Sequence, residues 1–217
     1  CDLWGCYHNG LAPYPAAVDA LRAFRAQGGT VVLLTNAPRP SGAVAAHLAE
    51  MGAPEDSFDA IVSSGDAARF ALSDGRFGRR VEHVGPARDL PFFEGLEVER
   101  VARAEAESVV VTGLYDDEAE TPDDYAEAVR DWRRRGFRML CANPDVVVDR
   151  GDRRIWCGGA IAGLYELAGG EVVHAGKPHG PIYELAEKLA EALRGPGPHR
   201  VLALGDGVAT DIAGAAA

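Results

Sequence analysis

Apolar positions in this chain follow two alternating rhythms. "YPAAVDALRAFRAQGG" sets Val18, Leu21 and Phe24 on one face at helical spacing. Pro15 suits the first turn of that helix, and Gly28 with Gly29 stops it. "TVVLLTN" is instead a continuous apolar run ending in polar residues, the pattern of a parallel strand buried on both faces. "SGAVAAHLAEMG" then reads as a helix, and "FDAIVSSGD" as a strand followed by a turn. Strands alternating with helices predict an α/β fold, a doubly wound, mostly parallel sheet with helices on both faces.

The middle of the chain is less regular. "RRVEHVG" and "SVVVTGLYDDE" read as strands. "TPDDYAEAVRDWRRRG" reads as a helix with Thr121 as its cap, Pro122 in the first turn and Asp124 three residues after the cap. "FRMLCANPD" is a strand with an Asn-Pro turn, and "RRIWCGGAIAGLYELAGG" a short strand, a glycine turn and a helix. "VVHAGKPHGPIYELAEKLAEAL" and "GPGPHRVLALGDGVATDIAGAAA" return to the strand–helix rhythm, with "LRGPGPH" as the loop between them. The chain shows no internal repeat and no low-complexity segment.

At 217 residues and 47% hydrophobic content, the chain suits one large domain or two modest ones. Its 33 acidic and 22 basic residues give a formal charge of −11, which argues against a nucleic-acid partner. The densest basic patch, Arg133, Arg134 and Arg135, reads as the wet end of a helix. Cys1, Cys6, Cys141 and Cys157 form no CxxC pair, so reduced thiols in a cytoplasmic protein are expected, with neither a disulfide scaffold nor a zinc site. No apolar stretch reaches membrane-spanning length and no signal peptide is evident, so no membrane partner is expected. The sequence starts without Met and stops inside an expected helix, which suggests truncation at both ends and the loss of part of a first strand.

Four short pieces place polar groups just beyond an apolar strand: "CDLWG", "VVLLTN", "HAGKPHG" and "VLALGDGVATD". In a doubly wound sheet such strand ends point to one edge, where ligands bind. Asp2, Thr35, Asn36, Lys177, Asp206 and Asp211 could converge there. Singly each has a plain explanation, since an Asp after a strand is a common cap or turn residue and a single Lys is usually solvated. Together they make a phosphoryl-transfer set. One carboxylate attacks phosphorus, a carboxylate pair holds Mg²⁺ through hard oxygens, and a hydroxyl, an amide and an ammonium bind the equatorial oxygens.

On these motifs the chain resembles the haloacid dehalogenase-like (HAD) hydrolase superfamily, and most of all its subclass IIA, the NagD-like and 4-nitrophenylphosphatase-like enzymes. "DLWG" takes the place of the usual DxDG, "LLTN" matches the second motif, "GKP" supplies the third and "GDGVATD" the acidic fourth; "SSGDAA" and "CANPD" also recur in or beside the cap of this subclass. The resemblance implies a Rossmannoid core over residues 1–65 and 171–217, with an inserted α/β cap of the C2 type over residues 66–170. It implies Asp2 as nucleophile, with Lys177 beside it. Thr35, Asn36 and Lys177 become phosphate binders. Asp2, the backbone carbonyl of Trp4, Asp206 and Asp211 become the Mg²⁺ ligands. The implied partner is a small phosphorylated metabolite, and a homodimer is compatible with it.

One departure stands out. The second aspartate of DxD, which in these enzymes protonates the leaving group and then activates water, is Trp4 here. An indole keeps the backbone carbonyl but has no group titrating near neutral pH, and general acid–base catalysis is typically worth about 10²–10⁴-fold. The expected function is a Mg²⁺-dependent phosphatase acting through an aspartyl phosphate. A non-catalytic or regulatory phosphate-binding protein is the alternative that Trp4 favours, and a haloacid dehalogenase the lesser one, because the acidic pair is retained. His8, in the turn "YHNG", is the candidate auxiliary acid or base, with a turn at the pocket entrance as its plain explanation. His179 has the same standing, and Asp116 and Asp117 read as a solvated turn.

Overall fold

The structure is a computed structural model that describes residues 1–150 and 153–216. Its framework is a mixed α/β fold with two parallel sheets. The smaller pairs β1 (Val32–Thr35) with β2 (Ala60–Ser63) in parallel. The stretch Cys1–Leu3 lies along the free side of β1, bridged in parallel at Asp2 and Leu34. The larger sheet is an inserted unit of five parallel strands. They are β3 (Arg80–Val84), β4 (Glu99–Arg100), β5 (Ser108–Val111), β6 (Arg138–Cys141) and β9 (Glu171–His174), in the order β4-β3-β5-β6-β9. Between β6 and β9 stands an antiparallel hairpin, β7 (Val147–Arg150) with β8 (Arg153–Trp156). β9 pairs along β6, so this sheet takes a strand from just beyond residue 170, where the sequence set the end of the insertion.

Burial follows the strand period. In β5, Val109 and Val111 pack with Trp132 of α4 (Ala126–Arg135) and Ile161 of α5 (Gly158–Leu167). Val110 points to the opposite face, against Ala68 and Leu72 of α3 (Ser64–Ser73) and Ile182 of α6 (Gly180–Arg194). Alternate side chains of one strand thus enter two different cores, which is why the sequence there is continuously apolar. A third core joins Leu3, Leu33 and Tyr7 to Val18 and Leu21 of α1 (Pro15–Ala26) and to Val44 and Leu48 of α2 (Ser41–Glu50).

Three local expectations are corrected. "SSGDAA" opens α3 instead of forming a turn, because Ser63 Oγ accepts the Asp66 N–H while the Asp66 carboxylate accepts the Ser63 N–H, a complete capping box. The glycine turn expected at Gly158–Gly159 is the first turn of α5, where a Cβ on Gly159 would stand 2.1 Å from the Pro144 carbonyl oxygen. The expected strand "VLAL" forms no regular ladder, although the Leu204 carbonyl accepts the Asp2 N–H at 2.8 Å. The helix expected after Thr121 does form: its capping box with Asp124 is present, the first turn is 3₁₀, and α4 ends at Gly136 with φ +68°. There the absence of a Cβ permits the left-handed cap.

Candidate active site

Asp2 is fixed by the strand it belongs to. Its N–H donates to Leu204, and the Cys1 carbonyl beside it accepts the Leu34 N–H, both at 2.8 Å. Directly after it the chain turns at Gly5, whose φ is +91°. A Cβ at Gly5 would lie 1.9 Å from Oδ2 of Asp206, so the backbone of the first motif forms the seat of that carboxylate.

Lys177 is the hub. Its Nζ donates to Oδ1 of Asp2 at 2.5 Å and to Oδ1 of Asp211 at 2.6 Å, and all three side chains are buried. Asp211 sits in a widened helical turn, Val208–Ile212, where the Ile212 N–H reaches back to the Gly207 carbonyl. Its second oxygen accepts the Gly207 N–H at 3.1 Å. Asn36 is tied to the same hub through backbone. Its Oδ1 accepts the Lys177 N–H at 2.7 Å, and its Nδ2 donates to the Lys177 carbonyl at 3.1 Å and to Oδ1 of Asp145 at 2.8 Å. Both amide hydrogens of Asn36 are therefore engaged within the protein. Thr35, also buried, accepts the Ala37 N–H at 3.2 Å and lines the adjoining cavity.

Charge is out of balance here. Burial pushes the Asp2 carboxyl up to about 6, against the pull of Lys177. Burial alone would lower the Lys177 ammonium, but Asp2 and Asp211 outweigh it and the net direction is upward. One ammonium thus faces Asp2 and Asp211, with the Asp206 carboxylate close to Asp2. Asp2, Cys6 and Asp206 each bring one ligand atom to within 4.8 Å of the others. An excess of hard anionic oxygens suits a divalent cation, so the residues present fit one. The ligand atoms that converge include the Cys6 thiol and leave out Asp211, which is held by Lys177 and Gly207.

Trp4 and His8 are both placed, though not as a proton-transfer pair. The Trp4 indole is half-buried, and its Nε1 donates to the Asp149 carbonyl on β7 at 3.1 Å. It lies against Gly10, where a Cβ would meet the ring at 2.7 Å, and meets the His8 ring edge-on at 5.4 Å between centroids. His8 is buried, its Nδ1 accepts the Gly10 N–H at 2.9 Å, and burial lowers its pKa to about 4. His179 stacks on His174 at 4.6 Å at the start of α6. Asp117 is not a solvated turn residue: it lines the cavity and pairs with Arg88 at 2.5 Å. Sequence reasoning missed Cys6 and Asp145. Asp145 stood in the quoted "CANPD" and Cys6 two residues past Trp4, but neither carried a signal of which way it points.

Cys1, Cys6 and Cys141 are free thiols, and no helix of the described residues is long and apolar enough to cross a membrane.

Two family profiles described as haloacid dehalogenase-like hydrolase match the sequence, one over residues 1–99 and the other over residues 77–217. The chain belongs to the haloacid dehalogenase-like hydrolase family. A hydrolase of this family from Brucella suis 1330 is 48% identical, with 100% of this chain covering 83% of that one at a TM-score of 0.95. A glycerol phosphate phosphatase from Mycobacterium tuberculosis, solved with magnesium, is 27% identical, with coverage of 99% and 63% and a TM-score of 0.72. A p-nitrophenyl phosphatase from Archaeoglobus fulgidus shares the fold at 24% identity, with coverage of 98% and 79% and a TM-score of 0.71. A "putative nagD protein" shares it likewise at 21% identity. No curated protein matched the chain. The fold is thus that of the NagD-like and 4-nitrophenylphosphatase-like members, a Rossmannoid core carrying an inserted α/β cap.

Proposed function

We propose that this hydrolase is a Mg²⁺-dependent phosphatase of a small phosphorylated metabolite, working through an aspartyl phosphate, with residues 66–170 acting as a C2-type cap. The observation that carries the reading is the buried Lys177 ammonium held between Asp2 and Asp211 at 2.5 and 2.6 Å. Asp2 Oδ2 is the atom left to attack phosphorus. As the Asp2–phosphorus bond forms, the ester P–O bond breaks and its electron pair leaves with the alcohol or phenol oxygen. Lys177 neutralises charge on the transferring group, and the Thr35 hydroxyl donates to one of its oxygens. Asn36 acts through others, fixing Lys177 and Asp145. Asp2, Asp206 and the Trp4 carbonyl would hold Mg²⁺, with Cys6 and Asp211 close by, and the ion would supply charge neutralisation at the phosphoryl oxygens.

Proton transfer is where this site departs from the DxDG pattern of the family it resembles. Trp4 offers no proton, and its N–H is committed to Asp149. His8 is neutral at pH 7, and its Nδ1 lone pair is taken by Gly10, so it offers neither an acid nor a free base. The leaving group therefore departs as its oxyanion. The rate should depend steeply on leaving-group pKa, with a burst on activated aryl phosphates followed by slow hydrolysis of the aspartyl phosphate. The test is kcat/KM across a series of aryl and alkyl phosphates with Mg²⁺ present. A flat profile with chemistry rate-limiting would show that another residue supplies the proton. Absence of turnover on every ester, together with retained phosphate binding, would favour the second reading, a phosphate-binding protein, which Trp4 motivates.

A further inference from the structure

Next to Thr35 a partly open cavity of about 180 Å³ lies between the core and the inserted unit. Pockets for drug-sized ligands run to about 300–1,000 Å³, so what enters here beside a phosphate is compact. Trp4, Thr35 and Arg39 wall it from the core, and Arg88, Asp117 and Trp156 from the inserted unit.

The two arginines are not equivalent. Arg88 is held by Asp117 at 2.5 Å. Arg39 is half-buried, four residues past Thr35, and among the described residues no carboxylate lies within 4.0 Å of its guanidinium. Asp89 feels the charge of both arginines, but its carboxylate is bonded to Thr112. A guanidinium drawn partly out of water without a carboxylate is unfavourable, and its planar fork matches a carboxylate in two parallel hydrogen bonds. Trp4 and Trp156 add aromatic surface to the same walls, suited to a flat ring. Trp4 also provides no proton, so a leaving group must be stable as its own anion, as a phenoxide is and an alkoxide is not.

We infer that this cavity binds the leaving group of a compact aryl phosphate bearing a carboxylate, with Arg39 as the partner of that carboxylate. The inference rests on the phosphatase reading above and adds the substrate class. In the reaction the aryl P–O bond breaks, its electron pair stays on the phenoxide oxygen, and the phosphoryl group passes to Asp2. The ring carboxylate is unchanged.

The test compares phenyl phosphate with 3-carboxyphenyl phosphate, first by calorimetric binding to the Asp2→Asn protein in the presence of Mg²⁺. The carboxylated ester should bind at least about tenfold more tightly. Adding Arg39→Gln should bring the ratio of affinities close to one, and Arg39→Lys should restore part of it. The same ratio should appear in kcat/KM of the protein with Asp2 intact. No preference for the carboxylated ester, whether both bind or neither does, overturns the inference, as does a preference that Arg39→Gln leaves unchanged. Selectivity of binding is read without turnover. A protein that selects the carboxylate yet hydrolyses neither ester would overturn the phosphatase reading alone.

Discussion

The five-stranded sheet and the short β1–β2 sheet use the same parallel grammar for opposite ends. In β5 Val109, Val110 and Val111 are fully buried, and the buried polar groups beside them are paired, as Ser108 Oγ donates to the Phe77 carbonyl at 2.6 Å. Glu82, for example, accepts from Trp132 Nε1 at 2.6 Å and from Arg103 Nε at 3.0 Å. At the ends of Cys1–Leu3 and β1, buried polar groups gather with their charges unmatched, Asp2 and Asp211 against the one ammonium of Lys177. The first region is built for stability, since its loss would leave cavities and unpaired polar atoms. The second holds like charges at short range, an arrangement that is costly without a bound cation and useful with one. Stability and chemistry are thus separated in space, though the α3–α6 core touches both sheets.

That separation can be broken from either side. The largest effect should come from Asp2→Asn, which we expect to lower turnover by roughly 10³-fold or more while leaving the fold intact. Steady-state assay beside circular dichroism checks it, with deamidation controlled by mass spectrometry. Trp132→Ala strikes the other region. It removes a fully buried indole and the partner of Glu82, for about 3–5 kcal/mol of stability. At roughly 2–4 °C per kcal/mol for a chain of this size, the melting temperature should fall by about 6–20 °C.

A third measurement sharpens the contrast through pH. Unfolded Asp2 ionises near 3.8, while the folded group holds its proton to about 6. Between those values the folded state binds more protons, so this group makes stability fall as pH rises, by a few kcal/mol in all, and the loss is complete above about pH 6. His8 and His83, both lowered by burial to about 4, act in the opposite direction: unfolded imidazole near 6.5 binds the extra proton, so stability rises between pH 4 and 6.5. The Asp2 contribution therefore shows as the difference between the native chain and Asp2→Asn. In metal-free buffer the variant should gain stability relative to the native chain from pH 4 to 6. Parallel stability curves would contradict the raised Asp2 pKa. The smallest effect belongs to the seam between the regions. Trp4→Phe deletes the hydrogen bond to Asp149, worth about 1 kcal/mol, and should lower the melting temperature by only a few degrees.

Much of the framework was legible because local pattern and tertiary burial agree. The periodicity of Val18 and Leu21 marked α1, Thr121 with Asp124 marked the start of the helix leading into α4, and the uninterrupted valines of 109–111 marked a strand buried on both faces. α3 was missed although Ser63 and Asp66 carry the spacing of a capping box, because the glycine between them reads as a turn. In the site, Asp2, Lys177 and Asp211 were legible as strand-end groups sharing one edge. Cys6 beside Asp206 was not, since its direction depends on the Gly5 turn. Asp145 under Asn36 was not, since it arrives from the inserted unit 109 residues away.

The sequence by itself determined the alternation of strands and helices, the parallel sheets that follow from it, and the set of polar residues at the strand ends. Those are local consequences of spacing, and residues at a parallel strand's carboxyl end need no long-range information to be placed on the same edge. Tertiary structure alone decided how that set is divided. It gave Asp211 to Lys177, turned both amide hydrogens of Asn36 inward, and committed the Trp4 N–H to a carbonyl of the hairpin. It also left Arg39 facing the cavity with no carboxylate among the described residues in reach. The Asn36–Asp145 and Trp4–Asp149 bonds depend on how the inserted unit docks on the core, whereas Lys177 meets Asp2 and Asp211 within the core. Folding of the whole chain sets distances between residues up to 175 positions apart, and the strength of a hydrogen bond or ion pair changes steeply over the last ångström of such a distance.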